Sequence, residues 1–458
     1  MARPLHLQPI ADVAPLVERR ELTAEALVRA CLDAIADANG RLNAFITVLG
    51  DEALAQARTA DGEIAAGRYR GPLHGIPISI KDLIDLKGIP TTAASRVRIG
   101  HVAAKDAPVI ARLREAGAIF IGKTNLHEFA FGVTSEDSAF GPARNPHDPE
   151  RSPGGSSGGS AAAIVAGMSL ASVGTDTGGS IRIPAAACGI VGLKPQRGDL
   201  SCAGVVPLSP TLDHVGPMTR SVGDARLMYN VMRGAAREGA PQPVAAPPRL
   251  GLPRRYFLDR LDTEVRRAFE ATLARLGDAG CVLEDVDIRH AGDIAPVYLH
   301  VSLAEAARYH APALDTKPQD YTKPVRLRLE LGRYVLAEDY LRALHGRRVL
   351  RAEVDAALAG RDGLILPTLP IPAPPIGAAT VPIETGSEPV RSALLRLTQL
   401  FNLTGHPAIS IPCGTTSDGL PCGCQIVGLH GHTLHLLDLA EMLEPHIATP
   451  AGTAAGGR

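Results

Sequence analysis

The chain has 458 residues, with 47 Lys and Arg against 48 Asp and Glu, so its net charge of −1 leaves no field that would gather nucleic acid or an anionic membrane. A composition of 45% hydrophobic and 21% charged residues is that of a globular protein with a sizeable core, while 3% aromatic content without tryptophan argues against base stacking or an aromatic cage. Seven cysteines, an odd number scattered from Cys31 to Cys424, make no disulfide framework and fit a reducing compartment.

In chain order, the start MARPLHLQPIADVAP has no continuous apolar core and reads as no secretory signal, so a cytoplasmic location is expected. Residues 12–60 read as helices, one of them capped by Thr23. GPLHGIPISIKDLID is a Gly/Pro turn and a short strand with Lys81 at or near its end. A lysine in an apolar strand is more often an edge or snorkelling residue than a catalytic one. APVIARLREAGAIFIGKTNLHEFAFG reads as an amphipathic helix, a strand and a loop into another helix, and FGPARNPHDPERS as a surface connection.

After residue 190, GIVGLKPQRG and VGPMTRSVGDARLMYNVM continue a strand–helix alternation. GAAREGAPQPVAAPPR has the clearest linker composition, and RLGLP and CVLEDVDI are strands flanking the helix TEVRRAFEATLARLG. Residues 301–360 are mostly helical. DGLILPTLPIPAPP is a buried strand entering a proline-rich loop, GHPAISIPCG and GLPCGCQIVG are two more strands, and TLHLLDLAEMLE is a last helix before a disordered tail, 446–458. The longest apolar run, around AAAIVAGM, is far short of a bilayer span.

The stretch Ser152–Pro184 organises the rest. It carries two glycine–serine clusters, GGSSGGS ending at Ser160 and TGGS ending at Ser180. Between them Ser160 is a plausible helix cap, Gly167 a helix stop, and Ser169–Gly174 a buried strand. A helix of about 12 Å and a returning strand of about 15–20 Å would bring the clusters together. Glycines beside a serine let amides point into one pocket, as an oxyanion hole requires, and a flexible linker would not sit against an apolar helix or recur after the next strand.

This run of about thirty residues resembles the signature of the amidase signature family, serine hydrolases that cleave amide and related acyl bonds. The resemblance covers nearly the whole chain and is strongest from Gly71 to Arg220. It implies one α/β domain over residues 1–445, with a large mixed, twisted sheet flanked by α-helices as an α/β/α sandwich. It also implies a Ser–Ser–Lys triad of Lys81, Ser156 and Ser180, and the family's spacing of 75 residues and then 24 is met here without a gap. Ser180 is then the nucleophile, Ser156 (after a cis Gly155–Ser156 bond) the proton relay, and Lys81 a base neutralised by burial. The amides of Thr177, Gly178, Gly179 and Ser180 hold the oxyanion, Asp176 and Arg182 pin the loop, and Ala130, Phe131 and Gly132 fall where relatives line the acyl pocket.

No cofactor and no metal is implied. His430, His432 and His435 complete no recognised ligand spacing, and Cys422 and Cys424 sit at packing positions of a strand. The expected partner is a small amide or carbamate, with no nucleic acid and no membrane, and a homodimer remains open. Among substrates, a stand-alone amidase acting on uncharged, fairly apolar amides is preferred over a carbamate or ester hydrolase. It is also preferred over the glutaminase component of a tRNA amidotransferase, because glutamine-using members carry an acidic residue after the GLPxGxQ strand. Here VGLHGHTLHLL follows, with no carboxylate before Asp438. A non-enzymatic scaffold is disfavoured by the presence of all three triad residues.

Overall fold

A computed structural model of the protein describes residues 4–234, 244, 247–383 and 386–448. Most of GAAREGAPQPVAAPPR and the tail AGTAAGGR lie outside the described residues. The last helix, Thr433–Ile447, ends on a fully buried Ile447, so the expected boundary at 445 falls inside it.

Thirteen strands occur in chain order among the described residues: β1 (Phe45–Val48), β2 (Pro77–Lys81), β3 (Ile119–Thr124), β4 (Ala171–Asp176), β5 (Val191–Lys194), β6 (His214–Thr219), β7 (Arg249–Pro253), β8 (Val282–Val286), β9 (Gly363–Pro367), β10 (Thr380–Ile383), β11 (Gly386–Pro389), β12 (Ala408–Thr415) and β13 (Pro421–Val427). Eleven form one sheet in the order β1-β3-β2-β4-β6-β5-β12-β13-β9-β7-β8, and β10 and β11 make a separate hairpin. The sheet is mixed: β2 runs parallel to β3 and β4, and β7 parallel to β8 and β9, with antiparallel pairings elsewhere. Strands β2, β3, β4, β6, β9 and β13 are buried throughout, as a sheet covered by helices on both faces requires.

The α/β/α expectation therefore holds, and most strands lie where the alternation put them. Thr23 caps Ala24–Leu42 through the Ala26 amide. Residues 12–60 are not all helix, because β1 pairs with β3 between two helices. FGPARNPHDPERS is only partly surface: Asn145 is buried and its amide donates to the Ser152 and Ala187 carbonyls, tying this connection to the signature.

Among the described residues, two large apolar clusters and a small third one around Ile164 and Ile181 form the core. The larger gathers the N-terminal helices, Pro108–Glu115, Val222–Arg233 and the last helix. The second joins Leu364 and Leu366 of β9 to Tyr298, Val301, Leu395 and Phe401 of a helical cover built from Ile294–Thr316, Ala337–Leu358, Val390–Leu395 and Gln399–Thr404. Among the described residues no helix is long and apolar enough to cross a membrane.

Candidate active site

Parallel pairing places the site. β2 and β4 lie side by side, with Ile80 opposite Val173, so Lys81 at the end of β2 comes level with the C-terminal part of β4. Lys81 Nζ donates to Ser156 Oγ and to Thr175 Oγ1, each at 2.8 Å, and Lys81 and Ser156 are wholly buried. Burial pushes the Lys81 amine well below the ordinary lysine range, against the opposing pull of Asp176 and Asp213. No carboxylate lies within salt-bridge distance of it among the described residues, so the lysine is held by two hydroxyls and left without a counter-ion.

The second glycine–serine cluster closes on the first. The Ser157 amide donates to the Ser180 carbonyl at 3.2 Å, and the Gly155–Ser156 peptide bond is cis. Ser135 Oγ donates to the Gly154 and Ser156 carbonyls and accepts from the Gly158 amide, so one hydroxyl braces the turn. The helix between the clusters is Gly158–Val165, two residues earlier than Ser160 would start it. Ser160 is no cap: its hydroxyl meets Thr124 Oγ1 at 2.7 Å instead. Ser180 is 5% exposed and its hydroxyl has no hydrogen-bond partner among the described residues.

Asp176 and Arg182 pin the loop between them. Arg182 Nε and Nη2 reach Asp176 Oδ2 and Oδ1 at 3.1 and 3.0 Å, with both side chains fully buried. Burial opposes ionisation of Asp176, yet the facing guanidinium holds it below the ordinary carboxylate range. The same carboxylate accepts from the Gly179 and Ile181 amides at 2.8 and 3.1 Å. Of the amides expected to hold an oxyanion, that of Gly179 is thus the one already bonded, to Asp176. The amides of Thr177, Gly178 and Ser180 donate to nothing among the described residues. Gly179 must still be glycine, since its φ is +135° and an added Cβ would run into Thr398.

Several residues that sequence reasoning left unassigned complete the frame. Thr177 Oγ1 donates to Asp213 at 2.6 Å, and burial pushes that carboxyl up to about 6. Thr398 Oγ1 donates to the Gly178 carbonyl at 2.6 Å. Asn402 donates to Asp176 Oδ1 at 2.8 Å, and Gln425 accepts from Arg182 at 3.0 Å. A signal existed for the middle pair: Thr398 and Asn402 sit four apart in the apolar run LLRLTQLFNL, one helical face in a segment otherwise made for packing.

Of the expected acyl-pocket residues, Phe131 is buried, with its carbonyl accepting from Arg328 and, at 3.5 Å, from Arg391. Ala130 has a left-handed φ of +57°, and Gly132 packs against the His127 ring, where a Cβ would collide. These three belong to a loop that the helical cover holds down. They share no hydrogen bond with Lys81, Ser156 or Ser180. His435 lies 3.8 Å from Asp362, and the rings of His430 and His406 are 5.6 Å apart. Cys422 and Cys424 are buried on β13.

The Amidase family model matches residues 26–437. A Pseudomonas putida amidase is 41% identical over 91% of each chain. A glutamyl-tRNA(Gln) amidotransferase component of Koribacter versatilis is 36% identical over 94% of this chain and 97% of its own. A crystal structure of an amidase superposes with a TM-score of 0.91 at 39% identity, over 96% of this chain and 100% of that one. With the fold, the coverage and the family match in agreement, this chain belongs to the amidase signature family and is an amidase, a hydrolase of amide carbon–nitrogen bonds.

Proposed function

We propose that the protein is a stand-alone amidase in which Ser180 is the nucleophile, Ser156 the relay and Lys81 the base. The observation that carries this is the 2.8 Å approach of a buried lysine amine to Ser156 Oγ, with the next residue's amide bonded to the Ser180 carbonyl. A neutral Lys81 can accept the Ser156 proton at that same distance while Ser156 takes the proton of Ser180 Oγ. Ser180 Oγ then bonds to the substrate carbonyl carbon, and negative charge gathers on its oxygen beside the amides of Thr177, Gly178 and Ser180. Collapse breaks the C–N bond, the leaving amine takes the proton back along the relay, and water cleaves the acyl-enzyme by the same route.

The substrate class is a linear amide with no ammonium group, apolar next to its carbonyl. Leu395 is one of the side chains flanking Gly178. Asp438, the first carboxylate after β13, is spent on Arg226 at 2.6 Å and offers an amino acid's ammonium nothing. The test has two parts. A serine-directed acylating probe should label the protein at Ser180 and fail to label Ser180→Ala, which should also lose turnover. Without any partner protein, aryl amides should be hydrolysed more efficiently than free glutamine, with aryl carbamates run alongside. Efficient glutamine turnover with inert aryl amides would sink the stand-alone reading.

A further inference from the structure

A cavity of about 420 Å³ opens beside the TGGS loop. Tyr298 and Leu395 line it, and they are the two side chains that a Cβ on Gly178 would meet. These two side chains therefore touch both the cavity and the backbone that would hold an oxyanion.

Its charges do not balance. Arg391 lines the cavity, and no carboxylate lies within salt-bridge distance of it among the described residues; its polar contact is the long 3.5 Å bond to the Phe131 carbonyl. Arg328 donates to that same carbonyl, so two guanidiniums converge on one oxygen. The acid beside Arg328, Asp137, stands 3.6 Å from it and is shared with His127 at 3.1 Å. Burial, and then the facing Arg391, push Arg328 down to about 10. Glu388, the carboxylate on the cavity wall, faces Arg260 at 3.8 Å, and Arg396 is stacked over Tyr256 at 3.9 Å while donating to its carbonyl. Two cations crowded together with a single shared carboxylate are unfavourable in a low-dielectric site unless an anion joins them.

We infer that Arg391 binds a carboxylate of the substrate, so that the enzyme prefers amides bearing an anionic group away from the reacting carbonyl. This rests on the amidase reading above. It replaces the wholly uncharged substrate expected from the sequence with one that is apolar at the carbonyl and anionic at its far end. Guanidinium is suited to that role because its planar fork can meet both carboxylate oxygens.

The experiment compares ω-amides of straight-chain dicarboxylic acids, three to six carbons long, with neutral alkanamides of matching length. The proteins are wild type, Arg391→Met and Arg391→Lys. Wild type should favour at least one carboxylated amide by about tenfold or more in kcat/KM. Arg391→Met should lose about 100-fold on that substrate and stay within about threefold on the neutral amides, whose turnover reports correct folding. Arg391→Lys should keep part of the preference. Added free propionate should not raise turnover of the neutral amide, which separates a substrate carboxylate from a loose activating anion. The inference is overturned if wild type shows no such preference, if Arg391→Met lowers both series equally, or if propionate stimulates. It is equally overturned if Ser180 takes the acylating probe but neither series is hydrolysed. Absence of labelling at Ser180 would instead bring down the amidase mechanism itself.

Discussion

The signature side of the sheet and the helical cover over it are built on opposite principles. Around β2, β4 and the two glycine–serine clusters, polar groups are buried and almost all of them are paired: Lys81 with two hydroxyls, Asp176 with the Arg182 side chain, Asn402 and three backbone amides. Over residues 294–396 the cover meets the core through apolar residues such as Val301 and Leu350, while Leu327, Leu331, Tyr334, Leu336 and Leu341 stand half or more out of the protein. Buried polar pairs tolerate little change, because removing one partner strands the other. An apolar cover can vary residue by residue as long as its volume is kept. On the function proposed above, chemistry belongs to the first region and substrate choice to the second, and the two meet at Thr398, Tyr298 and Leu395.

The largest effect should come from Lys81. Lys81→Met should lower kcat by about 10²- to 10⁴-fold, the range for removing a positioned base. Its stability should move the other way. A lysine whose folded pKa lies below its unfolded value binds fewer protons when folded, so it weakens the fold at every pH below the ordinary lysine pKa. The methionine variant should therefore melt no lower than wild type at pH 7. In wild type, kcat should rise with pH through the depressed Lys81 pKa. A flat pH profile, or an active Lys81→Met enzyme, would show that the polar side of the comparison is architecture without chemistry.

Asp176 tests the same region for stability. Asp176→Asn keeps an acceptor for the Gly179 amide but leaves Arg182 buried without a counter-charge, a loss of about 3–5 kcal/mol. The sign with pH is fixed: the folded carboxyl titrates lower than the unfolded one, so its contribution is present above the ordinary aspartate pKa and is lost as pH falls through the folded value. Denaturant titrations at pH 7 and in acid should show the gap between wild type and variant narrowing in acid. An unchanged midpoint at pH 7 would mean that the loop is held by its backbone alone.

What was legible in the sequence follows the same division. That Lys81 meets Ser156, and that the two glycine–serine clusters close on each other, could be read because these residues sit in short segments at fixed spacing, and the strands because burial imposes runs of apolar residues. Ser160 misled because a serine before an alanine run looks like a cap, whereas a tertiary partner on β3 claimed its hydroxyl. The bond from the Gly179 amide to Asp176 could not be read, because a pattern of glycines says which amides are free to turn and not which acceptor takes them. The partners of Arg182 lie 220 and 243 residues away in sequence, on Asn402 and Gln425, and no local pattern announces contacts of that range. Arg391 was invisible for the same reason, since its lack of an acid is a property of the folded surroundings.

Thr398 is the seam, and the smallest expected effect decides whether the seam matters. Its hydroxyl, fully buried at the end of the cover, donates to the Gly178 carbonyl at 2.6 Å, and its Oγ1 lies 2.2 Å from where a Cβ on Gly179 would be. Thr398→Val preserves the shape and removes only the donor, leaving one buried carbonyl unsatisfied at about 1–3 kcal/mol. Thr398→Ser keeps the donor and removes a methyl group, at about 1 kcal/mol. If the cover steadies the loop for catalysis, valine should lower kcat by up to about tenfold with KM little changed, because a donor array displaced by a fraction of an ångström stabilises the transition state less. Serine should restore kcat while remaining slightly less stable than wild type. Equal stability losses with an unaltered kcat in both variants would confine the cover to substrate choice, with no hold on the chemistry beneath it.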